Sequence, residues 1–171
     1  PKWRNLPKIL IGAGAVLGII GACVPSLRQQ FAHSYLLAFM FFLSICLGGL
    51  FLTLLHHLLD ANWSVATRRL TEHLAWLLPV MGALFLPIAI LAPMQVTRDG
   101  HAAPVLYQWM QNNPHDDHAL HAKQPLFTIP MFYLIAAICF GLWWLLSSRL
   151  RYWSLKQDED GSARCTFKMR A

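Results

Sequence analysis

Charge is what this chain has least of. Asp, Glu, Lys and Arg make up only 13% of its 171 residues. They leave four long stretches empty: between Lys8 and Arg28, between Arg28 and Asp60, between His73 and Arg98, and between Lys123 and Arg149. A soluble helical bundle shows water a polar face on every helix, and the run from Tyr35 to Leu55 offers none. Each stretch reaches the length of about 20 residues needed to cross a hydrocarbon core roughly 30 Å thick. The hydrophobic fraction of 56% and mean hydropathy of +0.43 agree, and so small a chain has no interior large enough to hide four such helices from water. The expectation is an all-α polytopic membrane protein whose four transmembrane helices form one bundle over 1–155. An external loop covers about 92–124, and 156–171 forms a cytoplasmic tail or a link to a second bundle.

Cysteine is nearly as scarce. Cys23, Cys46 and Cys139 fall inside the apolar runs, Cys165 falls in the tail, and no CxxC occurs. That excludes a disulfide framework and a zinc ribbon. It also excludes a CxxCH attachment for c-type haem and a cysteine cluster for iron and sulfur. No A-x-A cleavage signal follows the first apolar run, so the basic start Pro1-Lys2-Trp3-Arg4 leads into a helix expected to be retained. Internal repeats and low-complexity tracts are absent as well.

What charge there is falls on alternate connections. Of the 14 Lys and Arg, Lys2, Arg4, Lys8, Arg68, Arg69, Arg149, Arg151, Lys156, Arg164, Lys168 and Arg170 lie at the termini and second loop, against only Arg28, Arg98 and Lys123 elsewhere. The positive-inside rule then places both termini in the cytoplasm. The net charge of +6 follows from this distribution and requires no nucleic acid.

The first span is expected over about Ile9–Val24, with Gly14, Gly18 and Ala22 forming a small-residue stripe that lets another helix approach. The second begins near Ser34 and closes in His56-His57-Leu58-Leu59-Asp60. The third, about Leu74–Leu91, carries Pro79 and Pro87. Proline frees backbone carbonyls and bends a helix, which lipid tolerates where neighbouring protein or water satisfies those groups. The fourth, about Phe127–Ser148, ends in Trp143-Trp144 with Arg149, Arg151, Tyr152 and Trp153 as interfacial anchors, and the tail after Lys156 reads as solvated.

Ionisable groups at membrane depth are expensive and mark candidate sites. On one helix Asp60 stands four residues from His56 and three from His57, within reach of either ring. A neighbouring carboxylate keeps a histidine titrating near neutral pH, so the three are proton-path candidates; the competing reading is polar residues at the interface. His33 and Tyr35 are quinol-contact candidates, with interfacial anchoring as the plainer account. His57 and His73, at matching depth, are the pair that a b-type haem would need. His115, His118 and His121 have metal-ligand spacing if helical, but a solvated loop explains them, and no metal site is expected. Arg68 and Glu72 are expected to pair one helical turn apart.

Ser34-Tyr35-Leu36, Leu55-His56-His57-Leu58, Asn62-Trp63 and Arg68-Arg69-Leu70 precede a proline-bearing third span. Tyr107-Gln108-Trp109, Lys123, Leu126-Phe127 and Pro130-Met131-Phe132 follow it. In this order and spacing, over about residues 8–150, the chain resembles one of the two related membrane subunits of alternative complex III. That complex is a bacterial quinol:cytochrome c oxidoreductase, and the subunit family is similar to polysulfide-reductase membrane subunits. Thr128-Ile129 stand where an Asn is expected before the Pro-x-Phe element, and no Arg follows before Arg149. The family has about ten spans in two four-helix bundles, so the resemblance implies that these residues are the N-terminal half of a larger subunit. It implies an inner-membrane respiratory subunit with quinol or quinone as substrate of the complex and no redox centre of its own. Its partners would be multihaem cytochrome c subunits, an iron-sulfur subunit and a sister membrane subunit. A b-type cytochrome and a purely structural anchor are the alternatives.

Overall fold

The computed structural model describes residues 5–59, 68–98, 101–110, 123 and 126–160, apart from the side chains of 68, 98, 101 and 157–160. The chain is an all-α membrane protein with a single small hairpin among the described residues. Among the described residues, four helical segments are long and apolar enough to cross a bilayer: Leu6–Cys23, Pro25–Leu59, Arg69–Leu91 and Ile129–Lys156. Two compact units divide it, one made of Pro1–Leu37 with Pro87–Ile129 and the other of Ala38–Leu86 with Pro130–Ala171.

Helix α1 (Leu6–Cys23) and helix α2 (Pro25–Leu59) are separated by one extended residue, Val24. The expected loop before Ser34 is therefore mostly helix. Pro25 explains both sides of the joint. The residue before a proline is pushed out of the helical region, and Val24 sits at φ −81°, ψ 113°. A proline at the first helical position lacks only an N–H that would have no partner there. Arg28 Nε donates to the Ala22 carbonyl at 2.8 Å, satisfying one of the free carbonyls that end α1. The close approach in this unit falls on Gly21 rather than on the Gly14–Gly18–Ala22 stripe. A Cβ on Gly21 would meet the Phe31 ring at 2.7 Å, whereas Gly14 faces open space.

The expected third span is interrupted at both prolines. It comprises α3 (Arg68–Ala75), α4 (Leu78–Leu84) and α5 (Leu86–Leu91). Pro79 and Pro87 each occupy the second position of the stretch they open, where a missing N–H is harmless, and the breaks fall just ahead of them. At the first break Leu77 N–H bonds the Leu74 carbonyl, a tightened turn in place of the regular one.

The chain then forms a hairpin from β1 (Gln95–Arg98) and β2 (His101–Pro104), antiparallel with Arg98 opposite His101, and a 3₁₀ turn at Gln108–Met110. Val105 and Leu91 bury against Ala32 with Phe31, Val96 and Leu106 around them. Gln29 Nε2 donates to the Pro104 carbonyl at 3.4 Å. The Tyr107 and Trp109 rings meet at a tilt, 6.2 Å between centroids, and the Trp109 ring meets Phe127 edge-on at 5.3 Å. Helix α6 (Ile129–Asp160) runs beyond the expected end at Ser148 and takes in residues after Lys156 that the sequence suggests are a solvated tail.

Candidate functional site

Within the second unit the ends of the helices can be matched by their contacts. Phe39 on α2 meets Phe85, while Gly49, ten residues on, lies against Thr71, Leu74 and Ala75. Hence α2 and the third span run antiparallel. Phe85 also meets Phe132 and Phe140 on α6, Gly82 faces Phe140, and at the opposite end Glu72 meets Ser154. The third span and α6 are antiparallel too. This arrangement gathers α2, α3 and α6 at the end where the third span begins.

The buried polar groups collect at that end. Glu72 is 5% exposed and Ser154 on α6 is 0% exposed. Ser154 Oγ donates to Glu72 Oε1 at 2.7 Å, and Arg69 Nη1 lies 3.1 Å from Glu72 Oε2. Both carboxylate oxygens thus meet a donor, the condition for keeping a charge inside a protein. The expected partner of Glu72, Arg68, has its side chain outside the described residues; Arg69 pairs with Glu72 at i, i+3. Arg69 is half-exposed, but the carboxylate it meets is shielded from solvent.

Around this pair a second layer forms. Arg151 Nη1 lies 3.4 Å from His73 Nδ1, and its guanidinium carbon sits 5.0 Å from the centroid of the Trp76 ring. The arginine donates to the ring nitrogen and stacks on the indole, so α3 and α6 are clasped by a charge-assisted bond at Glu72 and a cation–π contact one turn further on. His73, half of the suggested haem pair, is exposed and directed at this guanidinium.

The proton-path candidates lie further along α2. Thr53 is buried and donates to the Gly49 carbonyl at 2.8 Å. His57 is 5% exposed, and His56, half-buried, meets its ring edge-on at 5.2 Å. His57 stands about 12 Å beyond Gly49 along the axis at 1.5 Å per residue, past the level of Glu72. Asp60, the third member of the suggested relay, lies outside the described residues, as do His115, His118 and His121. The described residues contain no group of three His, Cys, Asp or Glu arranged to hold a metal.

The quinol-contact candidates share α2 but not a face. His33 and Tyr35 are two residues apart, about 200° around a helix of 3.6 residues per turn. His33 is exposed and donates from Nδ1 to the Gln29 carbonyl at 2.8 Å. Tyr35 is half-buried with its ring 5.8 Å from Phe31. Since α2 begins at Pro25, both stand more than two turns inside the helix instead of at its mouth.

The features that sequence reasoning misses are Ser154 and the burial of Glu72. Ser154 follows a run of interfacial anchors and carries no pattern of its own. Glu72 has a signal, an acidic residue at the head of an apolar run, but spacing alone makes it half of a surface pair. No protein-family model and no curated protein matches the chain.

Proposed function

We propose that this chain is an integral membrane subunit of a quinol-oxidising respiratory complex of the alternative complex III kind. It would lie in a bacterial cytoplasmic membrane with both termini inside, and serve quinol access, proton conduction and assembly. The observation that carries this reading is the set of buried ionisable and hydroxyl groups, Glu72, Ser154, Thr53 and His57, toward one end of the second unit in a chain whose apolar runs carry no formal charge. Ionisable groups are kept among membrane helices where they pair, move protons or meet a substrate. Quinol oxidation releases two protons as its electrons depart, and a histidine pair one helical turn beyond the buried Thr53 is suited to receive them. Glu72, held by Arg69 and Ser154, is a fixed anion that positions α3 on α6, and His56, His57 and Asp60 form the titrating part. Electrons would travel on the cytochrome c and iron-sulfur partners, and quinol would enter beside the sister membrane subunit. The resemblance carried by Leu55-His56-His57-Leu58 and Arg68-Arg69-Leu70 supplies the choice of complex.

A tagged chain expressed in its own host is expected to copurify with c-type cytochromes and an iron-sulfur protein. His57→Ala and Asp60→Asn complexes are expected to assemble and to oxidise quinol, or release its protons, more than a few-fold more slowly. Wild-type turnover and proton release in both variants across roughly pH 6 to 8, where such a relay titrates, would remove proton conduction from the reading. Purification without cytochromes would remove the complex.

A further inference from the structure

Helix α6 presents two different faces near its end. Ser147, Leu150 and Ser154 are buried, and Arg151 on the same side reaches Trp76 and His73. These positions follow the i, i+3, i+4, i+7 spacing of one helical face. A second series with the same spacing, Arg149, Tyr152, Trp153 and Lys156, lies on another side. Arg149 and Lys156 are exposed, Tyr152 is 57% exposed and Trp153 is half-buried. The aromatic pair meets edge-on at 5.1 Å, and Lys156 Nζ stands 5.7 Å from the Trp153 centroid. Continued toward the membrane, the same line of positions passes through Leu145 and Leu142, 54% and 53% exposed. One face therefore changes, in order along its length, from apolar to a cation, an aromatic pair and a second cation.

We infer that this face is a binding site for the headgroup of an anionic phospholipid. Its acyl chains would lie along Leu142 and Leu145, and its phosphate would sit between Arg149 and Lys156. The dimensions fit. Seven residues separate the two cations, about 10 Å along the axis, close to the thickness of one headgroup layer, roughly 5–8 Å, once flexible side chains reach toward the phosphate. The guanidinium offers paired donors to phosphate oxygens and the ammonium a mobile point charge. Tyr152 and Trp153 are the amphipathic rings that settle at this depth. Charge complementarity selects the occupant: Arg149 and Lys156, exposed on this face, are both cations, and basic residues at helix ends attract anionic lipid. The site is independent of the respiratory reading.

The test is lipid retention by the detergent-solubilised full chain in native mass spectrometry, using phosphatidylglycerol and phosphatidylcholine of identical chains. Wild type is expected to hold phosphatidylglycerol selectively. The R149Q/K156Q double variant should lose that selectivity by about thirtyfold, as expected for removing two interfacial cations. Arg149→Lys should keep it, and Lys123→Gln, remote in sequence, should leave it unchanged. Equal retention of the two lipids by wild type, or undiminished selectivity in the double variant, overturns the site. A photo-reactive residue at position 152 should capture phospholipid in native membranes, and this arm stands even if the double variant does not fold. Capture of a polypeptide in its place assigns the face to a protein partner and overturns the inference.

Discussion

Two adjacent glycines on α2 should respond in opposite directions to the same substitution. A Cβ added to Gly49 would stand 2.7 Å from Leu74 Cβ, 3.1 Å from the Thr71 carbonyl oxygen and 3.4 Å from the Ala75 amide nitrogen. Two of those three atoms are backbone and the third is bonded to it, so none can swing aside and α3 as a whole must move. Forcing a methyl group into such a contact typically costs about 1–3 kcal/mol. At Gly48 a Cβ meets nothing within 4 Å. Both substitutions gain the same helix propensity, at most about 1 kcal/mol in water and less where lipid already enforces the helix. Because that contribution is common, the difference between the variants isolates the contact. Gly48→Ala should come out more stable than Gly49→Ala by about 2 kcal/mol, with Gly48→Ala neutral or slightly stabilising against wild type. The assay is unfolding in mixed micelles with increasing sodium dodecyl sulfate, followed by circular dichroism. Because α3 carries Glu72, the Gly49 variant should also be the one that loosens the bond to Ser154. Stabilities of the two variants agreeing within about 0.5 kcal/mol, the ordinary scatter of surface substitutions, would refute the close approach of α2 and α3.

Three further outcomes follow from the same geometry. Ser154→Ala removes a hydrogen bond to a buried carboxylate, so it should destabilise by about 2 kcal/mol. Glu72→Gln leaves an amide that can accept from only one of its two donors, Ser154 and Arg69, and turns its NH2 on the other, so it should destabilise by a comparable amount, about 1–3 kcal/mol; the same unfolding assay checks both, and wild-type stability in both variants counts against the clasp. In the first unit, Gly21→Ala should cost about 1–3 kcal/mol because the added methyl meets the root of the Phe31 ring, while Gly14→Ala should be near neutral. Burial raises the Tyr107 phenol above its usual 10.0, so the folded chain resists its ionisation. Below pH 10 the phenol is protonated in both states and has no effect; as pH rises past 10 the unfolded state ionises first and stability falls. Tyr107→Phe should abolish that part of the alkaline loss, as measured by the difference in unfolding free energy between the two proteins across pH 9 to 11, a window of about one unit on either side.

How much of this is legible in the sequence depends on how far apart the interacting groups lie. Membrane helices, their number and the weak points at Pro79 and Pro87 are readable, since hydropathy over about 20 residues and the chemistry of proline act locally. The Val24–Pro25 joint and the hairpin are also present as local signals. Pro25 restricts its predecessor and opens a helix well, and Asp99-Gly100 is a dipeptide typical of two-residue hairpin turns. Reading those residues as loop overlooks both. His56 and His57 stand out because polar residues closing an apolar run are conspicuous, but their unequal burial is not foreseeable from their adjacency.

The sequence alone therefore determined the solvent of this protein and the places where its helices must yield, because both follow from the transfer energy and backbone limits of short contiguous segments. Tertiary structure decided which polar groups became a site. Arg69 meets Glu72 one turn along α3, but the neighbour of Glu72 across the bundle is set by packing. Ser154 lies 82 residues from Glu72, and no periodicity links residues on different helices. Gly49, which lets α3 come close to α2, and the packing of α3 on α6 bring carboxylate, hydroxyl and guanidinium together.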